Sequence, residues 1–241
     1  MNGDVLASFV VQAATAAAAA YGAWRCVKLQ RFGADRRLMA LAWFFGLFAA
    51  AVALNAAWQL QLGLGPGPGP GFNVFTQNPP PNAPNATGDR IFIFRTEGSE
   101  RVNLWLAAHH ALMLAALVVG VWAFGSRRAR GEGGGNVAPI VVGSILGFVG
   151  DLVPSILALE AGIALYLAAR AYLNHVEVRS PGAVQVALGF LLFFLGHLLF
   201  SVAHQPGMGH AAMGDVLNLV GLVLLVQVLP PAPSAALPEG L

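Results

Sequence analysis

Long apolar blocks separated by short polar runs set the organisation of this chain. The first, Val5–Val27, is rich in alanine and broken by Ser8, Gln12 and Thr15. The second is Leu38–Leu62, with Asn55, Gln59 and Gln61 near its far end. Asn103–Phe124 is the third and carries His109 and His110. Val137–Gly150 follows, then Val153–Leu173 with Glu160, Pro181–His204 with His197, and Met208–Leu229 with Asp215 and Asn218. A helix crossing a bilayer needs roughly 20 apolar residues at about 1.5 Å per residue. The block 137–150 is short for this and needs its flanking glycines, or a locally thinned bilayer. Fused with the next block it would make a helix of about 55 Å, too long to cross once. The run Gly150-Asp151-Leu152-Val153-Pro154 instead reads as a turn and a helix start. The pattern therefore predicts seven spans.

Between the second and third blocks lies a polar insertion, 63–102. It opens with GPGPGPG, which cannot sustain a helix or a strand interior, and continues through a Pro/Asn-rich piece. Ile91–Thr96 is the one strand candidate, with Phe72–Thr76 as its expected hairpin partner. Asn85-Ala86-Thr87 matches a glycosylation sequon, a pattern short enough to arise by chance. A loop of this length within a bundle points to a functional or partner surface. Residues 1–229 form one helical domain, and 230–241 is a Pro-rich tail expected to be disordered.

Composition turns these blocks into a solvent argument. Hydrophobic residues make up 57% of the chain and charged residues only 10%, against roughly 25% charged in soluble domains. Mean hydropathy is +0.68. The expected class is an all-α, polytopic helical bundle in the cell membrane, with the lipid bilayer as its first partner. Met1–Asp4 has an acid and no basic residue, so the first block reads as a retained span, not a cleaved leader.

The net charge of +2 matters less than where the charges lie. Basic clusters at 25–37, 127–130 and 170–179 follow alternate blocks, so seven spans bring all of them to one side. The positive-inside rule makes that side cytoplasmic, with the N-terminus and the 63–102 loop outside and the C-terminus inside. Charges spent on topology leave no nucleic-acid patch. The single cysteine, Cys26, excludes an intrachain disulfide and a thiolate metal cluster.

Candidate chemistry comes from depth. Counting residues from the outer helix ends places Gln12, Asn55, His109, His110, Glu160, His197, Asp215 and Asn218 about 10–15 Å below the outer surface. Ionisable residues in a bilayer are costly and mark sites by default. Two imidazoles on facing helices at one depth are the axial ligands of a b-type haem, so His109 or His110 is expected opposite His197. His109 and His110 are about 100° apart on a helix, so only one can face a given iron. His204 would hold a propionate or a site nearer the surface. Gly182, Gly189 and Gly196 recur every seven residues and would let a flat macrocycle, or another helix, approach closely. The resulting expectation is an electron-transfer or respiratory-complex subunit with one haem in the outer leaflet, docking other subunits or an extracytoplasmic redox partner.

Other chemistry competes with this. His109, His110 and His197 with Asp215 or Glu160 could bind zinc or copper in an intramembrane hydrolase, but no HExxH or HxxxH pair is present, and His197 and His204 are about 10 Å apart along one helix. In that reading His204 would pair with His210 across the Gln205-Pro206-Gly207 turn. A scaffold subunit would use the same polar residues for helix-to-helix bonds. A proton-coupled transporter would use Glu160, Asp215 and His197, although no internal repeat stands out. Microbial rhodopsins are excluded because the only lysine, Lys28, lies in a basic loop.

Overall fold

The computed structural model describes residues 3–32, 35–64, 93–96, 99–102, 104–124, 152–202 and 210–230. They form helices α1 (Gly3–Gln30), α2 (Arg36–Leu64), α3 (Leu104–Phe124), α4 (Leu152–Val178), α5 (Pro181–Val202) and α6 (His210–Gln227), with strands β1 (Ile93–Thr96) and β2 (Ser99–Val102) between α2 and α3. The expected span at 137–150, the basic run 127–130, the sequon, His204 and the tail from 231 lie outside the described residues.

The described part of the strand candidate, 93–96, is a strand; the expected partner, Phe72–Thr76, lies outside the described residues. β1 pairs antiparallel with β2, Ile93 opposite Val102 and Thr96 opposite Ser99. A loop of two residues has little closure entropy to overcome, which favours this local pairing.

Among the described residues, four helices have segments long and apolar enough to cross a membrane: Leu6–Gln30, Arg36–Ala57, Ile156–Glu177 and Pro181–Phe200. Ala108–Phe124 and Met213–Gln227 are shorter apolar segments. The faces they turn outward carry Trp24, Trp43, Val118 and Val220, whereas Gln12, Glu160, His197 and Asp215 are buried. Large apolar side chains outside and ionisable ones inside are compatible with a surrounding bilayer.

Helix ends follow local chemistry. Asp35 caps α2, its Oδ1 accepting from the Arg37 amide at 2.9 Å. Between α4 and α5, Arg179 takes a left-handed φ of 52°, and the His175 ring bonds through Nδ1 to the Ser180 carbonyl at 2.8 Å. Pro181 then starts α5, where its missing N–H costs nothing. Arg25 on α1 caps the end of α6, donating to the carbonyls of Leu229 at 3.2 Å and Pro230 at 2.7 Å.

Each helix lies against the next, and α6 returns to α1, so the six close into a ring. Phenylalanines fill its middle. Phe44, Phe45 and Phe48 of α2 and Phe190 and Phe193 of α5 are fully buried, with Phe48 stacked on Phe193 at 5.1 Å and Phe44 edge-on to Phe190 at 5.9 Å. The glycines of α5 admit a helix. A Cβ on Gly189 would lie 2.9 Å from the Gly221 carbonyl oxygen, and one on Gly221 would lie 2.6 Å from that of Gly189. Gly196 and Gly214 meet in the same reciprocal way.

Directions within the ring are unequal. Gly196 faces Gly214 while Gly189 faces Gly221, so α5 and α6 are antiparallel. By contrast, His110 meets Glu160 and Gly120 meets Leu167, so α3 and α4 run parallel. Ser8 meets Asp215 and Arg25 meets Leu229, so α1 and α6 also run parallel.

Candidate functional site

Glu160 is the polar centre of the ring. It lies on α4, is 1% exposed, and stands between an imidazole from α3 and one from α5. His110 approaches through Nδ1, 2.8 Å from Oε1. His197 approaches through Nε2, 3.3 Å from Oε2. His197 is also held from its other side, with Nδ1 2.8 Å from the Phe193 carbonyl one turn earlier on α5. His109 turns away from this cluster. Its Nδ1 bonds the Ala51 carbonyl of α2 at 2.8 Å, and its ring meets that of His110 edge-on at 4.8 Å.

The hydrogen-bond chemistry constrains the protons. A carbonyl oxygen only accepts, so Nδ1 of His197 carries an N–H. Its Nε2 then faces a carboxylate oxygen at 3.3 Å, and two lone pairs facing each other there would repel. One proton therefore belongs to that edge, on Nε2 as an imidazolium or on Oε2 as a carboxylic acid. The His110 edge needs no extra proton, because a neutral imidazole with Nδ1–H donates to Oε1. With the shared proton the trio is neutral overall; without it a buried negative charge remains, which is costly.

A second polar group lies between α1 and α6. Ser8 donates to Oδ2 of Asp215 at 2.7 Å, and the Gln12 amide nitrogen reaches the same carboxylate at 3.1 and 3.3 Å. Ser8 and Gln12 are one turn apart on α1, and Gln12 also bonds Ser8 at 3.2 Å. Asn218, one turn beyond Asp215, lies so close to α5 that a Cβ on Gly196 would be 2.5 Å from its Oδ1. Thr15 satisfies itself on the Val11 carbonyl at 2.8 Å.

The single layer read from depth thus separates into two groups. His110, Glu160 and His197 come together; Asp215 joins Ser8 and Gln12; His109 is anchored to α2; and Asn55 is half-buried on α2. Ser8 carried no expected role, yet with Gln12 one turn away on α1 it supplies the donors that Asp215 of the neighbouring α6 needs. The bridging position of Glu160 was signalled only by a carboxylate lying at the depth of two imidazoles.

The arrangement does not fit an iron between His110 and His197. The Glu160 carboxylate occupies that space, and both ring nitrogens of His197 are engaged. Nor do three His, Cys, Asp or Glu side chains converge on one metal-sized centre among the described residues.

No protein-family model matches the chain, and neither the curated proteins nor the solved structures compared with it include a match. The reading of this site therefore rests on its own geometry.

Proposed function

We propose that this chain is a multi-pass membrane protein that takes up and releases a proton at His110–Glu160–His197, as the proton-binding centre of a proton-coupled transporter. The observation that carries the reading is His197, whose two nitrogens are held by a carbonyl that only accepts and by a buried carboxylate. Such an edge needs one proton and offers it two sites, and loss of that proton changes the charge of a buried centre. Coupling a charge change to helix rearrangement is what a proton-driven carrier requires.

The proposal includes seven spans, with the N-terminus and the 63–102 loop outside and the C-terminus inside. Helix directions are in keeping with it: α3 and α4 run parallel, the relation that one further span between them would give, and 137–150 is the apolar stretch of sequence in that interval. The same directions bring Arg25, Lys28, Arg36, Arg37 and Arg179 to one end of the ring, and Ser8, Gln12, His110, Glu160, His197 and Asp215 to the opposite half. Reporter fusions test the topology. Opposite sidedness of the two termini is expected; the same side for both would reject an odd number of spans.

Protein reconstituted in vesicles loaded with a pH-sensitive dye tests the function. Under an imposed potential, proton uptake is expected for the native chain and loss of it for Glu160→Gln, while His175→Ala retains it. Uptake that is the same with and without protein, or unchanged in Glu160→Gln, rejects the reading.

A second reading, the electron-transfer subunit with haem b held by His109 or His110 and His197, is favoured by one observation. His109 and His197 are each anchored through Nδ1 to a backbone carbonyl, as metal-ligating histidines commonly are. It requires the Glu160 carboxylate to withdraw, so Glu160→Ala should then retain the Soret band. Absence of that band from folded native protein made with haem available removes the reading.

A further inference from the structure

Glu160 and Asp215 are both buried in the ring, but their surroundings differ in charge. Glu160 stands between two imidazoles. Asp215 is 6% exposed and among the described residues meets only neutral groups. The Ser8 hydroxyl lies 2.7 Å from Oδ2, and the Gln12 amide nitrogen lies 3.1 and 3.3 Å from the two carboxylate oxygens. Both partners come from α1. The other helix packed on α6 is α5, whose titratable residue in this half is His197, with its nitrogens given to Phe193 and Glu160. Asp4 and His210 lie more than one turn from Ser8 and Asp215 along their own helices. A carboxylate in an apolar setting with no positive charge beside it is costly, and such a group neutralises instead.

We infer that Asp215 is a second proton-binding site, resting as a neutral carboxylic acid whose O–H is held by Ser8. The hydroxyl permits both charge states because it can donate or accept. Facing the anion, Ser8 donates to Oδ2. Once a proton from water sits on Oδ2, the acid donates to Ser8 Oγ along the same 2.7 Å line, an ordinary length for O–H···O in either direction. The displaced hydroxyl hydrogen turns to the helix carbonyl one turn earlier, the bond that Thr15 makes with Val11. Gln12 donates to the carboxyl group in both states, so protonation redirects a single hydrogen. The proton returns to water when α1 and α6 part and the charge can be solvated. The site shares no side chain with the histidine centre, and the inference rests on the burial of Asp215 and not on proton uptake at Glu160.

Infrared spectroscopy of full-length protein in lipid nanodiscs at neutral pH, isotopically labelled at the aspartate carboxyl carbons, tests this. A carboxylic-acid C=O band carrying the isotope shift is expected, and it should be lost in Asp215→Asn. Ser8→Ala should keep the band and move it to higher frequency, because the acid O–H loses its acceptor; this variant serves if Asp215→Asn does not fold. Glu160→Gln should leave the band in place while abolishing proton uptake, so the two readings fail separately. Absence of a labelled carboxylic-acid band from folded native protein, as expected if Asp215 is an anion satisfied by Ser8 and Gln12, overturns the inference. A band undiminished in Asp215→Asn, or unmoved in Ser8→Ala, overturns it as well.

Discussion

His197 and Glu160 are joined through the one imidazole nitrogen that the Phe193 carbonyl leaves open, Nε2 lying 3.3 Å from Oε2. Three helices thereby share one ionisable centre, since His110 of α3 meets the other carboxylate oxygen at 2.8 Å. Removing any one partner leaves a buried charge or an unmet donor, and this sets the first prediction.

Glu160→Ala should destabilise the folded protein by about 3–5 kcal/mol, the range for breaking a buried ion pair from one side. Replacing all three groups together by apolar residues (His110→Leu, Glu160→Leu, His197→Phe) should cost less than Glu160→Ala alone. Reversible unfolding in mixed micelles measures both. A triple variant less stable than the single one would show that the centre holds the helices together instead of merely being tolerated.

The approach of α5 to α6 should be intolerant of a single carbon. A Cβ on Gly221 would lie 2.6 Å from the Gly189 carbonyl oxygen, backbone that cannot swing aside. Gly221→Ala should cost about 1–3 kcal/mol, as overpacking does. Gly46 has nothing within 4 Å of a built Cβ, so Gly46→Ala should be neutral or stabilising by up to about 1 kcal/mol through helix propensity. Equal effects from the two would contradict the helix contact.

Arg179 adopts φ 52° in the turn from α4 to α5. An L-residue there costs roughly 1–2 kcal/mol relative to glycine. Glycine loses more backbone entropy on folding, which offsets part of this. Arg179→Gly should therefore raise stability by about 0.5–1 kcal/mol, read as a higher midpoint in the same unfolding assay.

Arg25 closes the end of α6 through the carbonyls of Leu229 and Pro230. Arg25→Leu should free these groups and fray the last turn. Amide exchange should rise in the segment ending at Leu229 and stay unchanged in α5. The loss in global stability should be about 1 kcal/mol or less, since the side chain is only half-buried.

Most of the architecture was legible along the chain. Apolar blocks such as 38–62 and 181–204 name their own solvent, because in lipid each backbone group must be satisfied within its own helix. The observed α2 and α5 begin and end within a few residues of these blocks. The glycines of α5 announced a close approach through their period of seven, but not what approaches: a macrocycle and α6 ask for the same absent side chain. The strand at 93–96 lies within the candidate run Ile91–Thr96, while its pairing with β2 depends on a short loop closure to which the strand's own residues are blind.

For the candidate site the division is sharper. Helical rise alone places Glu160 at the depth of His110 and His197, and Asp215 at that of Gln12, so residue type and count already determined that ionisable groups lie inside an apolar bundle. Depth is a coordinate along the helix axis and says nothing about rotation around it or about which helices are neighbours. Only the closed ring, with α3 parallel to α4 and α1 parallel to α6, decided that Glu160 stands between the two imidazoles. The same ring gave Asp215 to Ser8 and Gln12, because which side chains meet is settled by the packing of phenylalanines and glycines far from the polar groups themselves.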